Sequence, residues 1–196
     1  MPALRFLLLF CLFALPALAQ DSDYAALLQR AQKSDAQLDF TALRQASTRL
    51  PGYNGYSTPE ELEPMLRALG LSQWDIAEKQ ARAVLDKAYL QLDAHYVLLL
   101  ISRRKGDKVA EKQHEFMLRG LSNAIRNKRN GSSPDEAWNS LNVNEEFSVC
   151  RLAGWRVQSQ DLVRRDSRAF DRIMVVNGEG KSFPIYFDIS NWFGKL

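Results

Sequence analysis

The chain has 196 residues, of which 46% are apolar and 25% charged, with a formal net charge of +3. That composition is globular, and it excludes collagen-like and disordered classes. The two cysteines, Cys11 and Cys150, exclude a disulfide framework, and the length suffices to bury a core without one.

The first predicted element is an export leader. Arg5 supplies a positive start, Phe6 to Leu15 is an apolar stretch broken by Pro16, and Ala17-Leu18-Ala19 offers small residues at a peptidase site. The apolar stretch is shorter than the roughly 20 residues a transmembrane helix needs. The expectation is cleavage after Ala19, a mature start at Gln20, a periplasmic or secreted location and no transmembrane segment thereafter. Residues 1–19 then form the signal peptide, leaving 177 (196 minus 19). Removal of Arg5 lowers the net charge to +2, which favours neither an anionic partner nor a neutral one. Cys11 departs with the leader. Leu9-Phe10 before it do not fit a lipoprotein signal. Cys150, among Phe147, Val149 and Leu152, reads as a buried, inert thiol.

Residues 20–130 carry helical periodicity. Tyr24, Leu27 and Leu28 mark one helix, and Phe40, Leu43 and Leu50 a second. A loop follows, Pro51-Gly52-Tyr53-Asn54-Gly55-Tyr56, with two aromatics beside permissive turn residues. Thr58-Pro59-Glu60-Glu61 has the form of a capping box opening a helix that stops at Gly70. Ser72 is expected to cap the next, through Trp74, Ala77, Ala81 and Leu85. Another runs from Asp93 to Arg104 and ends at Gly106, and Asp107 caps the last. Ile76-Ala77-Glu78-Lys79-Gln80 recurs as Val109-Ala110-Glu111-Lys112-Gln113, 33 residues later. That period predicts tetratricopeptide-like antiparallel hairpins, Glu60–Leu69 with Gln73–Lys87 and Asp93–Arg104 with Lys108–Arg129.

Residues 131–196 read as a small α+β region packed on the helices, continuous with them as one domain. Ser133-Pro134-Asp135-Glu136 predicts a short helix. Asn144 is expected to cap Glu145–Leu152, with a strand as the open alternative for that segment. Trp155 and Val157 begin a strand. Phe170–Val176 and Ser182–Ile189 flank Asn177-Gly178-Glu179-Gly180 as a β-hairpin, positive φ being expected at Asn-Gly. The fold class is thus α+β, helical hairpins followed by a small antiparallel sheet.

Few residues point to chemistry. Glu145 and Glu146 suit the positive end of a helix dipole. A catalytic carboxylate pair needs them to meet Asp171 or Asp188 in one cleft. His95 and His114 fall at similar heights on adjoining helices, but a zinc site wants more ligands than these, so no metal and no cofactor is expected. No nucleophile elbow or phosphate loop occurs. Arg103-Arg104-Lys105, Arg126 to Arg129 and Arg164-Arg165 are basic clusters. Two of them lie at helix C-termini, and export makes nucleic acid an improbable partner. Trp74, Trp138, Trp155 and Trp192 read as core anchors.

In order along the chain, Asp39-Phe40-Thr41-Ala42-Leu43-Arg44, Tyr53, Tyr56, Asp93-Ala94-His95, Gly106-Asp107, Ser133-Pro134, Ala137, Asn144-Glu145-Glu146-Phe147 and Tyr186-Phe187-Asp188 stand out. Together they resemble the bacterial family called domain of unknown function 4919. Phe147 stands where that pattern often has Tyr, and Arg129-Asn130-Gly131 where it has Gly-Asp-Gly. The resemblance implies fold and export, and no reaction.

The leading expectation is an exported, non-catalytic binding or protein-interaction module. Its partner is an unidentified protein or envelope component, not nucleic acid. Candidate contacts are Tyr53, Tyr56, Glu145 and Glu146, with His95, Leu99 and Arg103 as a stripe on a groove-lining helix. The alternative is an envelope hydrolase using Glu145 or Glu146 with Asp171 or Asp188. An inhibitor of a periplasmic enzyme is a third possibility.

Overall fold

The computed structural model describes residues 15–194, with side chains from residue 23. The charged start and most of the apolar stretch of the predicted leader, with Cys11, lie outside the described residues. The helices are α1 (Leu15–Gln32), α2 (Phe40–Ser47), α3 (Leu62–Gly70), α4 (Trp74–Lys87), α5 (Leu92–Lys105), α6 (Lys108–Arg126) and α7 (Val143–Leu152). The strands are β1 (Trp138–Asn139), β2 (Arg156–Arg165), β3 (Arg168–Val176) and β4 (Ser182–Asp188). The fold is α+β. No described helix is long and apolar enough to cross a membrane.

The helical hairpins pair as their spacing predicts, α3 with α4 and α5 with α6. Ala77 and Ala81 of α4 and Ala94 of α5 are fully buried, among Leu62, Met65, Val84, Val97, Leu98 and Ile101. Small residues let these helices approach closely. Asp39 and Asp107 cap α2 and α6, each accepting two backbone N–H bonds of 2.8–3.1 Å. Gly106 ends α5 at φ 73°. Gly120 of α6 touches the ring of Phe40, so closely that an added Cβ would meet that ring at 2.1 Å.

Two expected caps are corrected. The Thr58 hydroxyl donates to Asn144 Oδ1 at 3.0 Å, and α3 begins four residues later, behind Glu61, which makes no capping bond. Ser72 lies at φ 56° and serves the end of α3: its N–H reaches Leu69 O, and that of Gln73 reaches Ala68 O. With only three residues between the helices, Ser72 cannot also take the extended conformation of an N-cap.

The sheet has the order β1-β4-β3-β2. β2/β3 and β3/β4 are antiparallel, while the short β1 runs parallel to β4, so the expected antiparallel sheet is mixed. β1 replaces most of the helix predicted from Ser133. One turn forms there, with Glu136 N–H on Ser133 Oγ at 3.3 Å. Burial of Ala137 and Trp138 then draws the chain onto β4. At the β3–β4 turn positive φ falls on Gly180, not on Asn177-Gly178. Asn177 works instead through its side chain, accepting from Glu179 and Lys181 N–H.

Residues 143–152 are helical. The cap is Asn142, whose Oδ1 accepts Glu145 N–H at 3.0 Å. Asn144, the expected cap, sits in the first turn and donates to Ser57 O at 2.6 Å. The main core joins Met117, Leu121 and Ile125 of α6 to Val149 and Cys150 of α7 and to Ile173, Val175, Ile185 and Phe187 of the sheet. Trp138 and Trp192 are buried in it. α7 packs on both α5 and β2, and this central place sets the polar geometry below.

Candidate functional site

α7 is a polar helix in an apolar interior. Asn144, Glu145, Glu146 and Ser148 are all buried, which requires partners for each. Arg44 of α2, only 1% exposed, gives Glu145 a two-point bond of 2.8 and 2.7 Å and also donates to Asn139 O. Leu141 N–H adds a third bond to that carboxylate, at 2.7 Å. On the opposite side Asp93 of α5 accepts from Ser148 Oγ at 2.5 Å and from Arg151 at 2.9 and 2.5 Å. Gln91 joins Asp93 to Ser148, at 3.2 Å from each. Two charge-assisted clamps therefore fix α7 against α2 and α5.

Glu146 points the other way, toward the sheet. It is fully buried and its Oε1 has no hydrogen-bond partner among the described residues. Gln160 of β2 donates to Asp171 Oδ2 at 2.6 Å and reaches Glu146 Oε2 at 3.5 Å. Burial, and then the charge of Asp171, push the Glu146 carboxyl well above its ordinary range. Burial raises Asp171 too, against the pull of its bonds to Gln160 and Glu146. Cys150 is pushed up to about 12 by burial and by the Glu146 charge. It is buried, as the sequence predicts, and a raised pKa quiets a thiol.

A cleft of about 360 Å³ opens where the Leu50–Pro59 loop, the α4–α5 connection and the first turns of α7 meet. Tyr53, Asn54, Tyr89, Gln91, Asn144 and Ser148 line it, with Glu145 at its floor. The Tyr53 hydroxyl donates to Leu141 O, and burial with the nearby Glu145 charge raises its pKa to about 12. Tyr53 also borders a second hollow of about 480 Å³ beside Arg49 and Trp192.

Of the residues singled out in the sequence, Tyr53 and Glu145 come together at this cleft. Tyr56 lies apart, edge-on to Trp192 with ring centroids 5.0 Å apart. Glu146 and Asp171 meet away from the cleft. Asp188 pairs with Arg168 at 2.6 Å. Burial works against its charge, but bonds from Ser190 and Arg168 hold it below the ordinary value. The stripe His95–Leu99–Arg103 is not a surface groove, and that expectation is corrected. His95 and Leu99 are buried, while exposed Arg103 pairs with Glu111 and Glu115. The reason is that α5 is covered by α3, α4, α6 and α7 together, which buries Ala94 to Ser102 apart from Tyr96 and Leu100.

The expected nearness of His95 and His114 is real, with the Nδ1 atoms 3.0 Å apart. Burial lowers His95 to about 3. Among the described residues no three His, Cys, Asp or Glu side chains gather as a metal site would need. Sequence reasoning missed Arg44, Asp93, Ser148 and Gln160. Arg44 and Asp93 stand in runs that carried the resemblance, and Arg44 also falls beside Leu43 on the face of α2 that carries its apolar residues.

A family model described as Domain of unknown function (DUF4919) matches residues 18–195. The chain belongs to this family. No curated protein and no solved structure matches it. Within the DUF4919 chain, the Asn144-Glu145-Glu146 run that carried the resemblance is the polar heart of α7, and Asp39 to Arg44 is the helix clamped to it.

Proposed function

We propose that this DUF4919 protein is an exported, non-catalytic binding module whose recognition site is the cleft at the start of α7. The observation that carries the reading is the cleft itself. It falls within the roughly 300–1,000 Å³ range of small-ligand sites, and its walls are held by the Glu145–Arg44 and Asp93–Arg151 clamps. Preorganised walls suit recognition. Its carboxylate, Glu145, is fully engaged by Arg44 and Leu141, which leaves it poorly placed for proton transfer. The leader predicted from Arg5 to Ala19 supports a periplasmic or secreted site of action.

The test is affinity capture from envelope extract, using protein recovered from cells expressing the full chain. Ser57 is exposed at the cleft rim, so Ser57→Trp fills the cleft without touching the core. It should abolish capture while Val109→Ser, at a remote and 83% exposed position, should not. Equal capture by both variants would end the cleft proposal.

One observation favours a second reading, a carboxylate hydrolase. Glu146 and Asp171 do converge, and such a pair sharing a proton is known chemistry. Against it, Glu146 is wholly buried and neither residue lines any of the hollows described above. Glu146→Gln without loss of any hydrolytic activity found in the purified protein would exclude this reading.

A further inference from the structure

Tyr24 and Tyr89 border the cleft. A further hollow of about 590 Å³ lies beyond them, between α1, α4 and α6, and shares Tyr24, Leu50, Lys87 and Tyr89 with the first. Taken together, two hollows that meet at a tyrosine pair suit an occupant that is long and thin.

Hydrogen bonding fixes what the far lobe offers. His95 Nε2 lies 2.8 Å from Tyr89 O. A carbonyl only accepts, so that nitrogen carries the proton and His95 Nδ1 is bare. The 3.0 Å contact between the two Nδ1 atoms then obliges His114 Nδ1 to donate. His114 is left with a lone pair on Nε2, which has no partner among the described residues and is not among their buried orphan atoms. His114 lines the far lobe. Burial, helped by the Arg82 charge, keeps it below its ordinary pKa and hence neutral at pH 7. It is an acceptor waiting for a hydroxyl or N–H donor.

Most charges along the groove are paired with residues outside it, apart from exposed Asp86 at the rim of the far lobe. Glu145 is paired with Arg44, Lys87 with Glu61, and Arg82 with Glu78. A strongly charged ligand therefore gains little there. What remains is tyrosine and leucine surface, with Leu50 and Leu90 in the first lobe and Leu28, Leu85 and Leu98 in the second, broken by amides, hydroxyls and an imidazole acceptor. Sugar rings match this, with a C–H face to lie on an aromatic ring and hydroxyls around the rim that both donate and accept. A peptide bound by strand addition needs free backbone groups to pair with. The groove walls are helices and loops, and the strand at the sheet's open end, β2, takes no part in it.

We infer that the two-lobed groove binds an uncharged linear glycan, threaded between Tyr24 and Tyr89 with a hydroxyl on His114 Nε2. The inference rests on the reading of the first cleft as the recognition site. Its test is calorimetric titration of the protein, from cells expressing the full chain, with oligomers of N-acetylglucosamine, β-glucose and α-glucose. An uncharged peptide of similar length is the control.

At least one glycan series is expected to bind in preference to the peptide. Tyr24→Ala should weaken it about tenfold and Tyr24→Phe much less; because Tyr24 packs against the main core, each titration is run well below the Tm of the variant. The ¹⁵N signal of His114 Nε2 should be that of a bare imidazole nitrogen and move on binding. Binding unaffected by Tyr24→Ala would overturn the placement. If no oligomer binds while Ser57→Trp still abolishes capture from extract, the glycan inference falls and the cleft reading stands. Failure of both tests removes both.

Discussion

Replacing Glu146 with Gln should remove a specific pH dependence of stability. Glu146 is fully buried with an unpartnered Oε1, and the only other carboxyl it faces on the sheet is that of Asp171. Glu145 and Cys150 face it on α7, and Gln160 covers it from β2. No cation is among these. Both carboxyl pKa values are raised in the folded chain, whereas in the unfolded chain they return to about 4.3 and 3.9. The folded state therefore holds a proton that the unfolded state has released.

The sign follows from linkage. Stability due to this pair is fully present below about pH 4 and is lost as pH rises toward the folded value, at about 1.4 kcal/mol per pH unit for one proton. His95 and His114, both lowered, have the opposite slope below about pH 6.5. They would mask the effect in the wild type alone. They cancel in the difference between variant and wild type, which should grow with pH from pH 5 to pH 7 in favour of Glu146→Gln, by at most about 1.4 kcal/mol per unit. Urea denaturation followed by tryptophan fluorescence, at intervals across that range, measures it. A difference that stays flat with pH would refute the reasoning, whatever its size.

Other outcomes are expected from the same geometry. Arg44→Met leaves the Glu145 charge buried and should cost about 3–5 kcal/mol, most of it recovered in Arg44→Met with Glu145→Leu, as measured by a double-mutant cycle in urea. Gly120→Ala drives a methyl into the Phe40 ring and should destabilise by about 1–3 kcal/mol despite alanine's better helix propensity, visible as a lowered Tm. Cys150 should resist a thiol reagent at pH 8 until the protein is unfolded, in keeping with its raised pKa and burial. Protein recovered after expression of the full chain should begin at Gln20 on N-terminal sequencing.

Much of the fold is legible because it is written in local chemistry. Apolar spacing marks the helices from Tyr24 to Ile125, and the repeat of Ile76–Gln80 at Val109–Gln113 marks their pairing. Asp39 and Asp107 cap helices with their carboxylates, and Gly106, lacking a Cβ, ends one at positive φ. These rules need only neighbours within a few residues. Where a distant partner competes, they fail. Thr58 has a capping residue's hydroxyl yet gives it to Asn144, 86 residues away, and the helix expected from Ser133 yields to the pull of Trp138 onto β4.

The candidate site belongs almost wholly to that second class. Glu145 and Arg44 are 101 residues apart, Asp93 and Arg151 are 58 apart, and Tyr53 meets Leu141 across 88. Such pairings form because a charge taken out of water must find an opposite one, and which one it finds depends on how the helices stack. The same stacking buried His95 and Leu99, which helical spacing alone had placed on an open groove. By itself the sequence determined the helices up to α6, the hairpin, the family and the apolar setting of Cys150. Tertiary packing decided which polar residues meet, because burial is a property of the assembled core and not of any one segment.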